Sequence, residues 1–498
     1  MYHAFYPHRG EKIRDRRSHG IMKILIKIRR TPQPVLASFA FLAMSVIEKG
    51  LFLITSPIYT RLLTQSEFGM VSVFLSWQGL LGVAAMFCLS AGVFNNGMLD
   101  YEKDRDGFSF SMLILSNIIT IICFAVLFIL WPNIKTIFDF DLPLLCLMFL
   151  FFLVQPAFAF WMARQRFEYK YKQLSLVVIT YAFLSQAVAI ACIYLFPAHR
   201  VYGRLFGGEG VLLCVYGGFY MYIASKAKWK LNISYWKTAV LFNLPLIPHY
   251  LSGYLLNSSD RIMIANLIDS AAAAKYSIAY TIALAVTMVW NAINGSLVPY
   301  TYEKCRDNDY KSIAEITVPI ISFYLFLCAG LILFAPEIIM IMAPASYFDC
   351  VYIVPPIVGG IFFMSMYSIF ANVVYYYKKP KYVMYASVLA ATLNITLNWF
   401  FIPMFGYVAA AYTTLFCYIV QVAFDYHAMK KAAGVSVYNM RLLISLCIVM
   451  IVISLSSVFL YRYNILRYNI ALLLCLLVSV SKQRIIKAVM LVKDKTTS

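Results

Sequence analysis

Apolar stretches of about 20 residues recur along nearly the whole chain, separated by short segments in which Lys, Arg and Tyr collect. At ~1.5 Å rise per residue, each stretch can cross roughly 30 Å of hydrocarbon as a helix. Fourteen such spans are predicted, near 34–57, 69–93, 110–131, 142–163, 174–196, 208–225, 238–259, 274–299, 314–334, 351–376, 382–402, 407–427, 442–460 and 466–481. The alternation that would build barrel strands is absent, so the predicted class is an all-α polytopic membrane protein. The longest connection is about 17 residues. That leaves no room for a soluble catalytic domain, and any activity has to sit among the helices.

The pattern also repeats. After the first span, TRLLTQSEFGMVSVF (60–74) parallels DRIMIANLIDSAAAAKYSIA (260–279) after the seventh, with Arg61 on Arg261 at an offset of 200 and Ser72 on Ser277 at 205. The basic loops RQRFEYKYKQLS (164–175) and YYYKKPKYVMYAS (375–387) follow at a similar spacing. Two six-span lobes are therefore expected, at 34–225 and 237–429, joined by a linker at 226–236. A basic segment (1–33) precedes them, and two more spans (430–481) and a tail (482–498) follow. Six is even, so both lobes keep one topology and are related by an axis along the membrane normal. Such lobes can rock around a central cleft, which suits alternating access better than a fixed pore.

Composition agrees with lipid as the solvent, since 62% of residues are apolar and only 13% charged, with a mean hydropathy of +0.76. Eleven cysteines are scattered singly, so neither a disulfide nor a metal cluster is expected. A net charge of +20 would suit a nucleic-acid partner until its distribution is read. With the N-terminus inside, 33 of the 42 Lys and Arg fall on inner segments and eight on outer ones, while Lys49 lies within the first span. This positive-inside asymmetry puts both termini in the cytoplasm and the excess charge against anionic membrane lipids, with no nucleic acid implied. Residues 1–30 do not resemble a cleaved signal. Residues 21–30 (IMKILIKIRR) are expected as a basic surface helix or as an extension ahead of an alternative start at Met22.

Four segments stand in order: PIYTRLLTQSEFG (57–69), ARQRFEYKYKQLS (163–175), LPLIPHYLSGYLLNSSDRIMI (244–264) and LNITLNWFFIPMFGYVAAAYTT (393–414). Through them the chain resembles the polysaccharide transporter family, the lipid-linked oligosaccharide or O-antigen flippases of the multidrug/oligosaccharidyl-lipid/polysaccharide (MOP) superfamily. The resemblance implies a V-shaped flippase of the bacterial inner membrane. Its implied substrate is an undecaprenyl-pyrophosphate-linked oligosaccharide carried from the cytoplasmic to the periplasmic leaflet. That reading serves O-antigen of lipopolysaccharide, capsule or exopolysaccharide synthesis, with a polysaccharide polymerase and a chain-length regulator as partners. It also implies a cationic cavity between the lobes. One departure is that YSIAYTIALAV (276–286) lacks the arginine that related flippases often carry in the eighth span.

A charge inside the membrane costs about 2.5–3.5 kcal/mol on insertion scales, so Glu48 and Lys49 require partners or a wet cleft. Lys49 suits a diphosphate headgroup, and Glu48 suits exchange of a proton or sodium ion; an interhelical ion pair is the structural alternative. Arg61 and Arg261, at the outer ends of the first and seventh spans, and Lys275, at the start of the eighth, are further headgroup candidates or else interfacial anchors. Asp260 either neutralises Arg261 or takes part in coupling. Pro245 and Pro248 interrupt the seventh span beside His249, which serves a proton or a freed carbonyl. Asn394 and Asn398 share a helix face and are expected either to bond between helices or to line the cavity as polar groups. Gln78, Asn291 and Asn294 are expected to line the cavity. No catalytic residue and no cofactor beyond coupling H+ or Na+ is expected. Two other readings stand: a multidrug or metabolite cation antiporter of the same superfamily would want acids lining the cleft, and a membrane polysaccharide polymerase would want a reactive outer loop.

Overall fold

The structure is a computed structural model that describes residues 33–476. The surface helix expected at 21–30, the end of the last span and the tail at 482–498 lie outside the described residues. The first lobe contains α1 (Gln33–Leu62), α2 (Gln65–Ala85), α3 (Val93–Asp100), α4 (Arg105–Phe138), α5 (Leu142–Phe167), α6 (Tyr171–Leu195) and α7 (Arg200–Lys226). There follow α8 (Ser234–Asn243), α9 (Ile247–Leu267), α10 (Ser270–Arg306), α11 (Tyr310–Leu333), α12 (Ala335–Met342), α13 (Val354–Tyr376), α14 (Pro380–Phe405) and α15 (Tyr407–Ala433). Two more, α16 (Met440–Leu460) and α17 (Asn464–Leu476), close the described chain. Eleven helical stretches are long and apolar enough to cross a membrane, and no strand occurs among the described residues. The all-α polytopic class is thus what the chain adopts.

The repeat has a structural counterpart at the start of the second helix of each lobe. Thr64 Oγ1 accepts from the Glu67 amide at 3.2 Å while the Glu67 carboxylate accepts from the Thr64 amide at 2.7 Å, a reciprocal cap. Asp269 does the same work for α10, accepting from the Ala272 amide at 2.7 Å. The helices leading into these caps differ. α1 ends at Leu62, so Arg61 stands at its end, but α9 runs on to Leu267, eight residues past the expected limit. Asp260 and Arg261 therefore lie inside α9 and not at its outer end.

Within the first lobe α7 packs on α5 and α6; within the second, α13 packs on α15, and α15 on α14. Between lobes α2 lies against both α9 and α10. The approach requires small residues: a methyl carbon at Gly69 would stand 1.7 Å from the Ser270 carbonyl oxygen, and Ala272, Ala273 and Ala274 are buried behind it. Among the described residues, five hydrogen bonds join the first lobe to the chain from α9 onward. Thr60 donates to Met342 O (2.8 Å), Arg61 to Ile341 O (3.1 Å), Gln65 to Ser346 O (2.7 Å), Asn266 to Ile137 O (2.8 Å), and Ser270 to Asp139. All lie on the face opposite the basic loops, here named the charge-poor face. The lobes are sealed there.

The seventh span is broken, as Pro245 and Pro248 lead one to expect. A 3-10 turn, Leu244–Leu246, separates α8 from α9. The first piece packs on the first lobe: Trp236 donates to Ser111 O (2.9 Å), Tyr235 to Asp104 (2.9 Å), and Asn243 to Phe87 O (2.9 Å). Packing therefore changes lobes at the break, some seven residues beyond the expected boundary at 237.

Candidate functional site

A cavity of about 490 Å³ lies between the lobes, lined by Gln78, Gly79 and Gly82 of α2, Gln155 and Phe160 of α5, and Tyr250 and Tyr254 of α9. Neither Lys nor Arg lines this cavity; amides, hydroxyls and aromatic faces do. A second cavity of about 310 Å³ shares Tyr250 and Tyr254 and extends into the second lobe toward His249, Asn257, Tyr367, Tyr418 and Gln421. Both open beside the helix break.

Two clusters of charge flank these cavities. In the first lobe, α7 begins at Arg200, eight residues earlier than expected, which brings Arg204 into the helix alongside Glu209; each is only 6% exposed. The Arg204 guanidinium lies 4.4 Å over the Tyr59 ring and is the opposing charge acting on Glu209. Gln78 Nε2 donates to Glu209 Oε2 at 3.3 Å, and Tyr59 OH to Gln186 Oε1 at 2.7 Å. A separate contact, Tyr181 OH to Glu48 Oε1 at 3.1 Å, ties α6 to α1. Glu48 and Lys49 are themselves exposed.

In the second lobe Asp260 is 1% exposed and accepts three neutral donors: Tyr276 OH at 2.5 Å, Asn398 Nδ2 at 2.7 Å and Thr414 Oγ1 at 2.8 Å. Asn394 completes the shell, donating to Thr414 (3.0 Å) and accepting from Ser259 (3.3 Å) and Asn398 (3.3 Å). The interhelical role expected for the two asparagines is therefore what they perform. Arg261 turns away from the acid beside it. Its guanidinium stacks 4.4 Å over Tyr280 and donates to Asn257 O at 3.2 Å.

The remaining candidates are spread along the molecule. Arg61 is spent on the lobe seal, and Lys275 pairs with Asp349 at 3.2 Å. His249 lines the inner cavity with its buried Nδ1 unpartnered, so it does not bond a freed carbonyl through that atom. Asn294 accepts from Asn372 at 2.8 Å, while Asn291 is exposed. At the charge-rich rim, the basic loop after α5 is internally paired: Glu168 meets Arg164 at 2.8 Å and Lys170 at 2.5 Å. Burial pushes the Glu168 carboxyl up, but those two cations outweigh it and hold it below the ordinary glutamate value.

Sequence reasoning passed over Arg204, Glu209 and Asp425. All three fall within a few residues of an expected span end, where charge is ordinary. The signal was helix length: α7 and α15 are each 27 residues.

Comparison with known proteins agrees with this architecture. The sequence pattern of the polysaccharide biosynthesis protein family matches residues 35–304, just over half of the chain. The Lsg locus protein 1 of Haemophilus influenzae is 26% identical over 184 residues, 36% of this chain and 46% of that relative, so the match spans less than half the relative's length. In fold the chain is similar to the lipid II flippase MurJ in an inward closed conformation, with a TM-score of 0.64 and 13% identity over 89% of this chain and 98% of that one. It is also similar to an inward-facing MATE-family multidrug resistance transporter of the MOP superfamily, with a TM-score of 0.58 and 12% identity over 80% and 99% of the two chains. At such identities the likeness is one of fold.

Proposed function

The chain belongs to the polysaccharide biosynthesis protein family and has the fold of MOP-superfamily transporters; on that premise we propose that it flips a polyprenyl-pyrophosphate-linked oligosaccharide by alternating access. The observation that carries this reading is the cavity between the lobes, sealed at the charge-poor face and lined by Gln78, Gln155, Tyr250 and Tyr254. Amides and tyrosine hydroxyls are groups that meet sugar hydroxyls; the aromatic faces would also receive an organic cation, and the test separates the two. With the charge-rich face in the cytoplasm, this conformer receives substrate from the inside and has both termini there. Lys49, exposed on α1, remains the headgroup candidate. Asp260 and Glu48 are the coupling candidates, the former because three neutral donors surround its buried carboxylate.

The test is deletion of the gene followed by mass analysis of undecaprenyl-linked sugars. The intact repeat unit should accumulate, and Lys49→Ala should fail to relieve it while Lys49→Arg relieves it in part. Normal export by Lys49→Ala would remove the headgroup role. Accumulation of monomeric units already facing the periplasm would point to a polymerase. The cation antiporter reading draws on the buried acids Glu209 and Asp260; it predicts efflux of organic cations and no lipid-linked sugar in the deletion strain.

A further inference from the structure

Among the buried Asp and Glu side chains of the described residues, Asp425 on α15 stands apart. It has no exposed surface, and neither of its carboxylate oxygens meets a donor in full hydrogen-bond geometry. Gln421, one turn away, is the one side-chain donor that acts on it, and its Nε2 is shared with Ser387 Oγ at 3.2 Å. The titratable groups around it are Tyr367 and Tyr375 on α13, with His249 and Tyr250 of α9 facing the cavity above; Tyr302 of α10 lies beyond Tyr375. No Lys or Arg is among the groups that act on it.

Its position completes a stripe. At 100° per residue, positions 414, 418, 421 and 425 fall within about 60° of arc on α15. Thr414 bonds Asp260, Tyr418 bonds Asn257 at 3.2 Å, and Gln421 bonds Ser387. The inner cavity runs along this stripe, bounded by Asn257, Tyr367, Tyr418 and Gln421. Asp425 stands at its foot, about 16 Å along the axis from Thr414 at ~1.5 Å per residue.

We propose that Asp425 is a second cation site, an inner station where a monovalent cation rests between the charge-rich face and the Asp260 cluster. A buried carboxylate with one shared amide donor and no basic neighbour is strongly disfavoured as a free anion, so a neutralising cation is what the site lacks. A proton and a sodium ion both meet that need. The site rests on the carrier reading for its purpose only, since cation binding at Asp425 requires no transported sugar.

The experiment is infrared difference spectroscopy on the full chain in lipid vesicles, titrated with pH at fixed sodium and then with sodium at fixed pH. If the cation is a proton, a protonated-carboxyl band should be present in the wild type and in Asp260→Asn and missing in Asp425→Asn. If it is sodium, a sodium-dependent carboxylate shift should be lost in Asp425→Asn and kept in Asp260→Asn. Spectra of Asp425→Asn that match the wild type in both titrations overturn the proposal. Should Asp425→Asn fold poorly, Asp425→Glu must keep the band at a displaced frequency, and an undisplaced band overturns the assignment. Loss of sugar flipping in vesicles with the bands intact would retire the flippase reading and leave this site standing.

Discussion

In the first lobe, Glu209 is buried with one neutral donor, Gln78, and with Arg204, stacked on Tyr59, as its opposing charge; in the second, Asp260 is buried among three neutral donors, from a tyrosine, an asparagine and a threonine, with Arg261, stacked on Tyr280, as its opposing charge. Each acid feels an arginine, so the difference lies in the donors: one reaches Glu209 and three reach Asp260, a shell of hydroxyls and an amide that can turn its oxygens toward a mobile cation. The first cluster reads as a brace between α2, α7 and α1. The second reads as a receptor.

The strongest way to break that contrast is at Asp260. Asp260→Ala should reduce transport of a fluorescent lipid-linked oligosaccharide in vesicles to the level of empty vesicles, with normal insertion. Transport near the wild-type rate would make the second cluster structural as well. Next in size is Arg204→Met, which leaves Glu209 buried without its cation and should cost about 3 kcal/mol in detergent unfolding. Adding Glu209→Gln should recover most of that loss, since both ends of the charge are then gone. A double variant no more stable than the single one would mean that Arg204 acts through its stacking on Tyr59.

Smaller effects probe the seams of the two lobes. Gly69→Ala puts a carbon against the Ser270 carbonyl, so the lobes should separate at the charge-poor face. Cysteines at Gln65 and Ser346, whose side chain and backbone meet at 2.7 Å, would then cross-link more slowly than in the parent. The smallest effect is a pH dependence at α12. Partial burial pushes the Glu337 carboxyl up, but bonds from Arg467 (2.5 and 2.8 Å) and Tyr468 (2.6 Å) outweigh it and hold it below the ordinary glutamate value. A lowered folded value means that the pair's stabilisation is complete above the unfolded value of about 4.3 and is lost as pH falls through the lower one. Arg467→Gln should flatten the acid limb of the melting curve, and an unchanged limb would remove the pair from it.

The all-α class and the broken seventh span were legible because hydropathy and proline act locally. Asn394 and Asn398 were legible too, since residues four apart share a face whatever lies opposite. What lies opposite is tertiary information. The stacking of Arg261 on Tyr280, the meeting of Gln78 with Glu209 and the isolation of Asp425 each depend on which helix is neighbour to which. The equivalence of Arg61 and Arg261 failed for another reason: the repeat alignment carries an insertion between offsets 200 and 205, and the structure spends it lengthening α9 past its arginine.

The break at Leu244–Leu246 stands where a fulcrum would have to be if α9 swings with the second lobe. Asp260 lies 14 residues beyond it, roughly 21 Å along α9 at ~1.5 Å per residue. All three donors to Asp260 belong to α10, α14 and α15, so the cluster would travel as one load. A swing on the order of 10° about the fulcrum would then carry it roughly 4 Å past Gln78 without disturbing a single bond of its shell. Spin-label distances from α8 to α9 and from α9 to α14 can test this: during turnover the first should change and the second should stay constant.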